Sequence, residues 1–137
     1  MICPLYFQRV CEREGRNRGL ESGKPHLKLA GNQLNLLDEV QLSPSVGSHG
    51  KGYAYGRRIV DPQDWFFPCH FHQDPVMPGS LGVEAILQAL QVFCLDQNLG
   101  DSFSNPRFRP SLSQTRWKYR GQIIPTTGMM QFELDVS

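Results

Sequence analysis

The stretch "WFFPCHFHQDPVMPGSLGVEAILQALQVF", residues 65–93, decides how this chain is read. Pro75, Pro78 and Gly79 keep the backbone out of a helix until Ser80, whose hydroxyl is of the kind that caps exposed amides. From there the spacing predicts a helix from Ser80 to about Leu99, with Gly100 as its stop. At about 1.5 Å per residue such a helix is roughly 30 Å long. Leu81, Val83, Ile86, Leu87, Leu90, Val92, Phe93 and Leu95 point in nearly every direction around its axis. A helix of that kind is expected to be buried on most sides.

Strand patterns on either side supply material to cover it. Residues 34–42, "LNLLDEVQL", read as one strand, and residues 53–60, "YAYGRRIV", as a second with Tyr53 and Tyr55 on one face. Downstream, Thr115, Trp117 and Tyr119 alternate with Arg116, Lys118 and Arg120. Further on, Met130, Phe132, Leu134 and Val136 alternate with Gln131, Glu133 and Asp135. Both patterns predict half-buried strands with one wet face. The fold class is therefore α+β, a long helix cradled by a curved antiparallel sheet. Residues 1–30, with mixed charge, three glycines and no periodicity, read as an extension or linker, leaving 31–137 as the domain. The last strand pattern ends one residue before the chain does, so the sheet is expected to be cut short at its C-terminal side.

Length and composition set limits. At 137 residues the chain is about one domain long. With 14 basic and 13 acidic residues the net charge is +1, so bulk electrostatics selects neither a nucleic acid nor a membrane surface as partner. The apolar run at residues 81–95 is interrupted by Glu84, Gln88 and Gln91 and falls short of the roughly 20 residues that span a bilayer. No secretory pattern opens the chain, and the four cysteines lack C-x-x-C spacing. Reduced thiols in a cytoplasm are the expectation.

The chemistry gathers around Glu84 and His70. An ionised carboxylate inside an apolar surround costs several kcal/mol unless it is paired or keeps its proton. A protonated carboxyl is what a general acid requires, and Gln88, one turn on, lies on the same helix face and can orient it. The competing explanation is a glutamate near a helix start, favoured by the macrodipole and reaching solvent. His70 is a candidate base, since an imidazole titrating at about 6.5 is mostly free at neutral pH. Taken singly, a histidine among phenylalanines is more often a core residue.

Three rival chemistries use the same residues. His70 and His72 on one strand face, with Asp74 or Glu84, suggest a metal site, but H-x-H alone is a weak signal and no metal is expected. Cys69 beside His70 suggests a thiol nucleophile, yet neighbours in a strand point to opposite faces. "PGSLG" resembles a hydrolase elbow, except that Pro78 stands where that motif needs glycine. Gly79 is more promising: a glycine at a helix start lets a carbonyl approach backbone N–H groups that stabilise enolate-like charge. A simple chain turn at Pro78-Gly79 explains it equally well.

The segment W-F-F-x-C-H-F-x-x-D-P-V-M-P-G-x-L-G, with "WKYRGQIIP" after it, closely resembles the hotdog-fold 3-hydroxyacyl-[acyl carrier protein] dehydratases of the hydroxydecanoyl type. It resembles still more the related dehydratase domains of polyunsaturated fatty acid synthases. The resemblance covers about residues 31–137 and implies a hotdog fold. It places the catalytic pair on His70 and Glu84, the amide that meets the thioester carbonyl on Gly79, and the glutamine that orients the acid on Gln88. It also implies that each site joins two hotdog units, as a homodimer or tandem pseudo-dimer. The substrate would ride on the phosphopantetheine of an acyl carrier protein, with no further cofactor. Glutamate stands at position 84, where the hydroxydecanoyl enzymes carry aspartate, so the resemblance implies dehydration and leaves isomerisation open.

Five basic residues and no acidic ones lie between Ser102 and Gln131. Among them Arg116, Lys118 and Arg120 are candidates for docking an acidic carrier protein, although a solvated strand face explains the charges as well. Trp117 and Tyr119 interleave with them, but the alternation turns the rings inward, against nucleic-acid binding. The leading function is a hydro-lyase acting on 3-hydroxyacyl thioesters in fatty acid synthesis. The alternatives are a catalytically silent hotdog unit or synthase fragment, and an acyl thioesterase on the same fold.

Overall fold

The computed structural model describes residues 27–109, 118 and 120–137 of the chain. Most of the N-terminal extension, and the strand expected around residues 115–120 apart from Lys118 and Arg120, lie outside the described residues. Within them the architecture is α+β: a three-stranded antiparallel sheet in the order β1-β2-β3, with one long helix against it. The strands are β1, Glu39–Ser43; β2, Tyr53–Ile59; and β3, Met129–Asp135. The helix, α1, is Gly79–Asp96 and lies in sequence between β2 and β3.

Alternation decides the faces of the sheet. Ala54, Gly56 and Arg58 of β2 are buried, while Tyr53 and Tyr55 on the opposite face are half-buried. In β3, Met130 is buried and Phe132 and Leu134 are half-buried, against exposed Gln131 and Glu133. The register pairs Leu42 with Ala54 and Ala54 with Leu134, so one row of core residues crosses all three strands. Val92 and Phe93 of α1 pack on Val40, Leu42 and Ala54.

The first strand is shorter than the expected 34–42. Asn32–Leu34 forms a 3-10 turn, with Asn32 in the left-handed region at φ 55°. Beyond it, the Leu36 N–H and Leu34 C=O bond to the side chain of Gln88. Backbone groups committed to a helix side chain are lost to a strand ladder.

The helix differs from expectation at both ends. Gly79 is already helical, so the cap position falls on Pro78 and has no side-chain hydrogen bond, while Ser80 is exposed in the first turn. Ser80 is therefore not the cap. At the other end the stop is Asn98, left-handed at φ 52°, and not Gly100. Leu99 N–H reaches Cys94 O at 3.0 Å and Asn98 N–H reaches Leu95 O at 3.1 Å, the paired bonds of a Schellman motif. Gly100 serves a different purpose, since a Cβ there would come within 2.8 Å of Leu27 Cδ1.

Within the chain the helix is also buried on one side and not on most. Ala85, Gln88, Ala89 and Val92 face the sheet and the 34–36 segment, whereas Ile86 and Leu87 are 38% and 42% exposed. Small residues on the packed face let the helix sit close to the strands, and a single sheet covers only that face. Among the described residues no helix is long and apolar enough to cross a membrane.

Candidate active site

Residues 60–78 connect β2 to α1 and carry the candidate base. Sequence alternation suggests an extended segment here, but the backbone is a succession of turns. Phe66 O accepts the N–H groups of both Cys69, at 3.2 Å, and His70, at 3.0 Å. His70 and His72 therefore do not share a strand face, and the strand argument about Cys69 fails with it. The Cys69 thiol is exposed and donates to Trp65 O at 3.1 Å. His72 and Asp74 are exposed, and among the described residues no three His, Cys, Asp or Glu side chains gather as a metal site would need.

Phe66 anchors this turn. Its side chain is fully buried, with the rings of Trp65 and Phe67 edge-on at 5.7 and 4.7 Å. Trp65 Nε1 donates to Gln33 O at 3.0 Å, tying the turn to the segment before β1. Around it lies a cluster of Leu36, Val60, Phe67, Met77, Ala85 and Met130. The imidazole is half-buried at the edge of that cluster, and its Nδ1 lies 3.0 Å from Val76 O. A carbonyl only accepts, so Nδ1 carries the hydrogen and Nε2 of the neutral ring is left with a free lone pair.

Glu84 stands on α1 in its second turn, half-buried. Gln88 Nε2 donates to Glu84 Oε1 at 2.9 Å and to Leu34 O at 2.7 Å, and its Oε1 accepts Leu36 N–H at 3.0 Å. The amide is thus fixed in orientation, because reversing it would set oxygen against two acceptors. Gln88 is 2% exposed, and burial with every hydrogen bond made is what a rigid support for a neighbouring carboxyl requires. Glu84 Oε2 has no hydrogen-bond partner among the described residues. Gly79 opens the helix, where the first backbone N–H groups have no intrahelical acceptor.

His70 and Glu84 are therefore each held through one side-chain atom, and the second atom of each has no hydrogen-bond partner among the described residues. No hydrogen bond joins His70 to Glu84 within the chain. A cavity of about 430 Å³ lies at the opposite end of α1, lined by Leu95, Leu99, Phe103 and Phe108 among others, and touches neither residue. Cys94 lines it as well, and burial raises its thiol pKa from the ordinary 9.0. Lys118 and Arg120 are exposed; Arg116 lies outside the described residues.

Two residues near the site carry no motif. Arg58 of β2 is buried, 4% exposed, and meets the Asp64 carboxylate twice, Nη1 to Oδ2 at 2.9 Å and Nη2 to Oδ1 at 2.6 Å. The signal for it is in the sequence: β2 alternation puts Arg58 on the inward face with Ala54 and Gly56.

Residues 29–137 match the FabA-like domain, and the chain belongs to that family, the hotdog dehydratases. Among curated proteins, a polyunsaturated fatty acid synthase polypeptide of Thraustochytrium sp. (strain ATCC 26185 / S-3) is 40% identical over 108 residues. That alignment takes in 77% of this chain and 7% of the relative, so the chain spans a small fraction of the relative's length.

Proposed function

We propose that the chain dehydrates 3-hydroxyacyl thioesters carried on an acyl carrier protein, yielding 2-enoyl thioesters in fatty acid or polyunsaturated fatty acid synthesis. The reading is supported by family membership, and above all by the Gln88 amide, which holds Glu84 through Oε1 and leaves Oε2 without a partner among the described residues. His70 Nε2 takes a proton from the carbon alpha to the thioester. The electron pair left behind forms the new C=C bond as the C–O bond to the 3-hydroxyl breaks. Glu84 protonates that oxygen, and water departs. The Gly79 N–H steadies the thioester carbonyl oxygen while charge gathers there. Proton exchange with solvent returns His70 to its neutral form and Glu84 to its acid form.

The base and acid of one site come from two hotdog units, a second copy or a tandem neighbour. Exposed Ile86 and Leu87 on α1 agree with a further surface packing on the helix. Lys118 and Arg120, with Arg116, receive the acidic carrier protein, and the substrate's phosphopantetheine is the only prosthetic group involved. The protein works in a cytoplasm.

The test is incubation with a 3-hydroxyacyl thioester. An enoyl product 18 Da lighter, about the mass of one water, supports the reading; His70→Ala and Glu84→Gln each lower the rate by at least about a hundredfold. Free acid instead identifies a thioesterase, and unchanged substrate from a folded assembly identifies a silent structural unit. Near-normal turnover by either variant removes these residues from the mechanism.

A further inference from the structure

We infer that the buried Arg58–Asp64 ion pair is a positioning device for His70, locking the turn that sets the base to the rigid sheet. The inference rests on the proposed dehydratase reading for what His70 does, but its geometry is independent of it.

An arginine–aspartate pair with its guanidinium buried and its carboxylate mostly so is an expensive way to fill space, since apolar residues of similar volume are often as stable or more so. What the pair provides is geometry. Two parallel hydrogen bonds between a planar guanidinium and a carboxylate fix distance and plane together, which a lysine or a leucine cannot do. Arg58 belongs to the central strand of the sheet, and Asp64 to the turn region that leads to His70. Asp64 Oδ2 also accepts Asp61 N–H at 3.1 Å, and Asp64 O accepts Phe67 N–H at 3.1 Å, so one residue ties the start of the turn to its middle.

From there the constraint passes to the base in short steps. The Arg58 guanidinium lies 5.6 Å from the Phe66 ring centroid, and Phe66 is fully buried. Phe66 O holds the backbone N–H of His70 at 3.0 Å, while Val76 O holds the ring at Nδ1. A pair that slackens lets Phe66 and its carbonyl shift, and the imidazole loses its alignment with Val76. Displacements of about 1 Å in a reacting group cost on the order of a hundredfold in rate.

The experiment uses the full chain and two substitutions, Arg58→Lys, which keeps the charge but loses the fork, and Asp64→Asn, which keeps an acceptor but loses the charge. Two quantities are read: kcat and KM for dehydration, and the imidazole nitrogen shifts of His70 in histidine-labelled protein, which report the tautomer. The expected result is a folded variant whose kcat falls at least about tenfold with KM changed less than about twofold, together with appearance of the Nε2–H tautomer. A folded Arg58→Lys that keeps the wild-type kcat, or loses rate while His70 stays wholly in its Nδ1–H form, overturns the proposal. If Arg58→Lys does not fold, Asp64→Asn is read by the same criteria. Failure of both to fold also overturns it, because the pair is then a support for the core and not for the base. The tautomer is measured without turnover, so a wild-type chain that fails to dehydrate refutes the enzymatic reading and leaves the positioning role separately decided.

Discussion

Replacing Gln88 by methionine isolates the contribution of one buried amide, because methionine is close to glutamine in size and flexibility and leaves no large void. The substitution removes three hydrogen bonds. Leu36, 0% exposed, is left with a buried N–H that has no acceptor, a loss of about 1–3 kcal/mol. Leu34 is 47% exposed, so its carbonyl can turn to water and costs at most about 1 kcal/mol. Burying an apolar side chain where an amide stood offsets part of this. The net loss is about 2 kcal/mol, or roughly 6–10 °C in the thermal midpoint for a chain of this size. Glu84 meanwhile loses the hydrogen bond that orients its carboxyl, so on the proposed dehydratase reading kcat falls by at least about tenfold in protein that remains folded. Thermal melts followed by circular dichroism, and initial rates well below the melting range, separate the two effects. A midpoint within about 2 °C of wild type together with an unchanged kcat would show that the amide neither braces the 34–36 segment nor orients Glu84 for the proposed reaction.

Three further expectations concern the rest of the chain. Gly47 adopts φ +99°, and a Cβ there would come within 2.4 Å of Asp135 Oδ1 and 2.8 Å of Gly52 O; Gly47→Ala should therefore lower stability by about 2 kcal/mol or more in urea titrations, and a neutral outcome would contradict the loop geometry. Hydrogen bonds from the Ser48 hydroxyl and N–H hold the Asp135 carboxyl below its ordinary 3.8. Its pKa is depressed in the folded state, so the stabilisation is present above 3.8 and lost as pH falls through the lower folded value. Urea midpoints across the acid range should decline less steeply for Asp135→Asn than for wild type. Alkylation of the native chain by iodoacetamide, mapped by mass spectrometry, should mark exposed Cys69 well before Cys94, whose thiol burial keeps protonated; the reverse order would contradict the packing at the end of α1.

Local chemistry is enough to reveal much of this molecule. Pro78 and Gly79 followed by an apolar run announce α1 to within a few residues, and period-two alternation marks β2 and β3 and the face that β3 buries. Both signals depend only on neighbours in the chain, which is why they survive without coordinates. His70 and Glu84 stand out as types suited to acid–base work, with Gly79 as a backbone donor and Gln88 as an orienting amide beside them, but composition cannot say which atoms are engaged. That Gln88 would bind backbone 52 residues away, and shorten the first strand by doing so, depends on how helix and loop pack. The turn at His70 has the same origin: an extended reading is locally reasonable, yet burial of Phe66 beneath Arg58 and the hydrogen bonds it receives outweigh that preference. Hydrogen-bond partners far apart along the chain meet only when the core closes, so the tautomer of His70 and the orientation of Glu84 are properties of the packed protein and not of any segment of it.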